Sequence, residues 1–134
     1  MHIVHGRATG TPTQRRSDTF TGEVWGDPVL PATDGTTVNS VTFTPAAHTY
    51  WHSHERGQLL VVTAGSGWVC THGERPRAIA VGDLVWVPPG ERHWHGADPG
   101  TIMTHLSVSL GTTAWLDEVA EAEYAALAAG EAGR

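Results

Sequence analysis

Apolar and polar positions alternate with a period of two through most of this chain, and glycine and proline cut the alternation at short intervals. Successive side chains of an extended strand point to opposite faces, so this pattern predicts half-buried strands. Val38, Ser40 and Thr42 oppose Asn39, Val41 and Phe43 until Pro45 stops the run. Residues 49–53 and 58–63 read as further strands, and residues 68–71 pair back across the turn Gly65-Ser66-Gly67. Short strands follow over 78–80, 84–87 and 93–96, the last two separated by the rigid turn Pro88-Pro89-Gly90. Residues 101–110 set Ile102, Thr104, Leu106 and Val108 against Met103, His105, Ser107 and Ser109. Upstream, a short strand over 21–25 precedes a loop rich in Pro, Ala, Asp and Gly that runs to Thr36.

After Gly111 the period lengthens. Trp115, Leu116, Val119, Glu123, Tyr124 and Leu127 are spaced as one face of a helix, with Thr113 as its N-cap and Gly130 as its stop. The organisation expected is an N-terminal arm over 1–19 without periodicity, a β-barrel over 20–111 and a helix over 112–130. About nine strands and one helix define an all-β barrel or sandwich, not an α/β fold, with room for two Greek keys.

Composition narrows the function. A chain of 134 residues is one domain, and 16 glycines and 8 prolines fit many tight turns. A net charge of −6, with no lysine and eight arginines, argues against nucleic-acid or anionic-membrane partners, which need clustered positive charge. Cys70 is the single cysteine, so neither an intrachain disulfide nor a cysteine-rich zinc site is expected. No run approaches the roughly 20 apolar residues of a membrane span, and the first residues lack the apolar core of a signal peptide. The expected location is the cytoplasm.

The candidate chemistry lies in Trp51-His52-Ser53-His54, Gln58 and His93. Alternate strand positions share a face, so His52 and His54 converge on one point when the strand curls, as it does in a small barrel. Gln58 on the following strand and His93 beyond the proline turn complete a set of three imidazoles and one amide oxygen. That donor set suits a borderline divalent ion: manganese, iron, cobalt, nickel or zinc. A neutral amide in place of a carboxylate leaves the ion the stronger Lewis acid. His95 follows His93 on the same face, and His105 points inward on its own strand; each is a candidate base or an orienting donor. Val41, Phe43 and Thr49 supply an apolar wall. Trp51, Trp86 and Trp94 are expected to pack the barrel exterior or a subunit contact, and Asp83 to cap its turn.

The spacing resembles the two motifs of the cupin superfamily. The first reads His52-Ser53-His54, Gln58 where the family usually has Glu, and Gly65, with Ala46 in place of the leading glycine. The second reads Gly82, Pro88-Pro89-Gly90 and His93, with Ala97 in place of the terminal Asn. The resemblance spans about residues 38–109 and implies a jelly-roll barrel, usually dimeric. A narrower likeness lies in Phe20-Thr21-Gly22, Val62-Thr63-Ala64-Gly65, the run from Gly90 to Ala97 and Met103-Thr104-His105-Leu106. These segments are similar to small bacterial manganese-dependent cupins that act as (R)-selective hydroxynitrile lyases. That likeness implies His52, His54, Gln58 and His93 as metal ligands, His95 and His105 as pocket histidines, and manganese as the metal. Asn39 and Ser109 fall where those relatives line their pocket; with Val41, Phe43, Thr49, Met103 and Ser107 they are the expected substrate contacts.

The leading expectation is therefore a metal-dependent lyase of a cyanohydrin or similar α-hydroxy compound. The same site admits a dioxygenase or isomerase of a small hydroxylated or dicarbonyl metabolite, and the fold alone admits a non-catalytic ligand-binding barrel. Six tryptophans and a sheet face left open by one helix predict a two-fold homodimer, with residues 20–25 adding as an edge strand to the neighbouring subunit.

Overall fold

A computed structural model describes residues 1–6 and 10–128. Twelve strands and one helix succeed one another: β1 (Gln14–Arg16), β2 (Phe20–Thr21), β3 (Val24–Thr33), β4 (Thr36–Phe43), β5 (His48–Thr49), β6 (His52–His54), β7 (Gln58–Thr71), β8 (Arg77–Ala80), β9 (Leu84–Val87), β10 (His93–Ala97), β11 (Met103–Leu110), β12 (Thr113–Trp115) and α1 (Glu121–Ala128). All pairings are antiparallel, in the order β1-β3-β4-β11-β7-β10-β5-β2; β8 and β9 also pair with β7, while β6 joins β10 to β12. The result is a small all-β barrel, nearly closed on itself.

β7 makes the closure. Its first half pairs with β11 and its second with β10, so one strand belongs to both walls. It bends at Gly65, whose φ is +70° and where a Cβ would stand 2.7 Å from the Ile102 carbonyl carbon. Only glycine satisfies both conditions, the left-handed backbone and the close approach of a neighbouring chain.

Inward-facing residues divide into two functions. Val24, Phe43, Val62, Val69, Ile79 and Met103 form a dry core at one end of the barrel, and the histidines fill the other. A second cluster lies outside: Trp51, Trp68, Cys70 and Trp94 pack beneath Val119 and Leu127 of the C-terminal segment. Tyr124 fastens the helix by stacking on His48 at 4.3 Å and donating to the Ala97 carbonyl. Trp51 and Trp94 thus pack the barrel exterior as expected, but under the chain's own helix. Asp83 accepts from the Ala80 amide at 2.8 Å and so caps its turn.

Several expectations are corrected. The segment expected as a loop to Thr36 is the strand β3, whose pairing with β4 shifts register between Pro28 and Leu30, where proline's missing donor is tolerated. The helix expected over 112–130 begins only at Glu121, because Thr113–Trp115 pair with β6 as a strand; positions 129 and 130 lie outside the described residues. Residues 20–25, expected to reach a neighbouring subunit, pair within the chain instead, Phe20–Thr21 with β5 and Val24–Trp25 with β4. In the segment read as an arm, Gln14–Arg16 pair with β3. Among the described residues no helix is long and apolar enough to cross a membrane.

Candidate metal centre

β6 presents His52 and His54 to the barrel interior, and His52 stands in register with His93 of β10. The imidazole centroids of His52 and His93 are 4.2 Å apart, and that of His54 lies 5.0 Å from His52 and 5.6 Å from His93. Gln58, the first residue of β7, brings Oε1 to 3.1 Å from His93 Nε2. All four residues expected to hold a metal are buried. His52, His93 and His95 offer ring nitrogens that all lie within 4.8 Å of one another.

Outer partners orient each ring. His52 Nδ1 donates to the Tyr50 carbonyl at 2.9 Å and His93 Nδ1 to the Glu91 carbonyl at 3.0 Å. A carbonyl only accepts, so Nδ1 carries the proton in both rings and the neutral rings turn an Nε2 lone pair inward. His54 Nδ1 meets the Thr113 hydroxyl at 3.1 Å, leaving its buried Nε2 without a partner. Gln58 Nε2 is held by Ser109 at 3.2 Å and Ser107 at 3.5 Å, which turns its carbonyl oxygen towards His93.

Burial keeps these imidazoles neutral. It drives His52 well below its ordinary value, with the charge of His93 adding to the effect, and brings His54 down to about 4 in the same way; His93 is also lowered, chiefly by burial. Two acceptors, His93 Nε2 and Gln58 Oε1, therefore face each other at 3.1 Å. They repel unless a cation lies between them. Adjacent ligands around an octahedral metal with bonds of about 2.1 Å are separated by about 3 Å, so the residues present fit a divalent ion.

Beside this group lies a histidine dyad. His95 Nδ1 and His105 Nε2 are 3.0 Å apart, and both rings are enclosed. Burial lowers His105 to about 4 and His95 well below its ordinary value, the latter aided by the neighbouring His105. His95 Nε2 is buried without a hydrogen-bond partner. The shared proton can sit on either ring, so the dyad can accept at His95 Nε2 and pass charge to His105.

Both groups open on a cavity of about 420 Å³, within the range of small-molecule sites. Asn39, Val41, Phe43, Thr49, Ser107 and Ser109 line it as expected. Met103 does not; it belongs to the dry core. Thr113 and Trp115, expected as the N-cap and on the face of a helix, line the cavity instead: Thr113 holds His54, and Trp115 lies over His52 with ring centroids 4.6 Å apart. Arg16, to which the sequence gives no role, lines it as well. The β-branched pair Thr112-Thr113 was the available signal for strand β12.

The strand order and the histidine-lined cavity define a small cupin barrel with a potential metal centre. Residues 39–109 match the family model described as a cupin domain, and the chain belongs to that family. It is 47% identical over 114 residues to an (R)-mandelonitrile lyase from Granulicella tundricola, a match covering 81% of this chain and 87% of that protein. Among solved structures, a cupin-like protein from Thermotoga maritima is 39% identical with a TM-score of 0.80, covering 84% of this chain and 90% of that one. The polyketide cyclase RemF from Streptomyces resistomycificus is 20% identical at a TM-score of 0.71, covering 92% of this chain and 90% of the other, a likeness of fold alone.

Proposed function

We propose that this protein is a metal-dependent lyase that cleaves a cyanohydrin or a related α-hydroxy compound. His52, His54, Gln58 and His93 hold one divalent metal, manganese in this reading, and two copies of the chain form the working unit. The observation that carries the reading is the buried His95–His105 dyad, its free Nε2 facing the same cluster of imidazoles. The 47% identity to an (R)-mandelonitrile lyase supports it.

When bound, the metal supplies Lewis-acid polarisation of the substrate hydroxyl. The chain's own residues do the rest. His95 Nε2 takes the hydroxyl proton, and His105 shares the resulting charge through the 3.0 Å bond. The O–H electron pair forms the carbonyl as the carbon–carbon bond to the nitrile breaks, and that bond's pair leaves as cyanide. Cyanide recovers the proton from His95 and departs as hydrogen cyanide. Phe43, 5.9 Å from His95 and 5.2 Å from His105 between ring centroids, keeps water from the dyad and holds both rings neutral before the reaction.

Cleavage of (R)-mandelonitrile by Mn(II)-loaded protein tests the proposal. Turnover above the metal-free blank is expected, falling about 100-fold or more in His95→Ala, in line with the loss of a general base. Absence of turnover in the loaded wild type overturns it.

A further inference from the structure

Arg16 takes no part in that reaction, yet the fold builds a place for it. It ends β1 opposite Val24, a residue with no exposed surface, so its side chain enters the barrel. On β3 the next inward position is Gly26, where a Cβ would lie 2.9 Å from Arg16 Nη2 and 3.0 Å from Cζ. The missing side chain makes the recess that the guanidinium fills. Nη2 reaches Asn39 Oδ1 at 3.4 Å, while Nε is buried and has no partner.

A buried guanidinium donor left unfilled is costly, and the planar fork is shaped for a carboxylate. Among the described residues that line the cavity the one carboxylate is that of Asp18, an exposed residue that makes no hydrogen bond to Arg16. Arg15 lines the cavity beside Arg16, and Gln58 brings no negative charge to the proposed metal. Cationic side chains therefore outnumber anionic ones in the lining, which draws an anion.

We propose that Arg16, seated on Gly26 and steadied by Asn39, binds a carboxylate, so that the substrate class is a hydroxy compound with an anionic group remote from its reacting carbon. The remoteness follows from the sheet. The guanidinium reaches Asn39 of β4, which is paired with Ser107 of β11, two residues along the strand from His105, a separation of roughly 7 Å at about 3.4 Å per residue. The hydroxyl end of this assignment rests on the lyase reading; the carboxylate end does not.

Calorimetric titration of Mn(II)-loaded protein with 4-(hydroxymethyl)benzoate and with its neutral amide tests the inference without requiring turnover. The wild type should bind the carboxylate at least ~10-fold more tightly than the amide, as expected for a charge-assisted fork. Arg16→Gln should bring the ratio to about one while leaving amide binding unchanged, and Gly26→Ala, which fills the recess instead of removing the charge, should lower the ratio as well. Equal affinities in the wild type, or a preference that survives Arg16→Gln, overturn the assignment. A preference that behaves as expected in a protein inert towards cyanohydrins ends the lyase reading and leaves Arg16 its role. Turnover of mandelonitrile with no carboxylate preference does the reverse.

Discussion

At the scale of single residues, the position where the sequence departs from the first cupin motif has a physical signature. Ala46, which replaces the leading glycine, has φ +70° and an exposed side chain. A left-handed backbone costs a non-glycine residue roughly 1–2 kcal/mol, and the exposed methyl returns little by packing. Glycine removes that strain but adds about 0.5–1 kcal/mol of chain entropy to the unfolded state. Ala46→Gly should therefore stabilise the fold by roughly 0.5–1 kcal/mol, read as a higher denaturant midpoint at unchanged slope. The same scale explains what was legible in the chain. His52, His54 and His93 stand out because strand parity and a proline turn are local properties, readable without knowing any tertiary contact. Arg16 was not legible. Its neighbours show no periodicity, and only pairing with β3 turns its side chain inward.

At the scale of elements, β12 is the instructive misreading. Alanine-rich sequence after Gly111 favours helix, and the apolar spacing agrees with it. Tertiary pairing with β6 overrides both, because Thr113 and Trp115 gain partners in His54 and His52 that a helix would remove. β12 is thus the outer support of the histidine pair. Thr113→Val keeps the branched shape and deletes the hydroxyl that orients His54. We expect about tenfold weaker metal binding, measured by chelator competition, with little change in thermal stability. Unchanged affinity would show that His54 needs no such support. Elsewhere the chain announces its strands where alternation is clean, as along β4 and β11. It hides β3, where Pro28 and Pro31 imitate a loop while the strand tolerates them at register shifts.

At the scale of the whole molecule, α1 covers one side of the barrel, while elsewhere an apolar row stays half-buried or exposed among the described residues. Trp86, Leu59, Val108, Val38 and Leu30 follow one another across β9, β7, β11, β4 and β3. Leu84 and Trp86 at its edge retain 63% and 52% of their surface, too much apolar area to leave in water without consequence. We expect the second copy in our proposal to dock on this face, by sheet-on-sheet contact in place of an exchanged edge strand. Sedimentation at low micromolar concentration should give twice the 14.3 kDa chain mass. Trp86→Glu, which puts a charge into the apolar contact, should give the chain mass alone. A wild-type monomer would remove the dimer and leave the metal centre untouched.

The metal centre is the claim on which the rest depends, and its metal content is the most direct measurement. Protein expressed without added metal and purified without chelator should carry close to ~1 equivalent of a divalent transition metal per chain by elemental analysis, and the His52→Ala/His93→Ala double variant should carry almost none. A wild type that folds normally yet holds less than ~0.2 equivalent, and takes up no more from Mn(II), Fe(II) or Zn(II), would contradict the account.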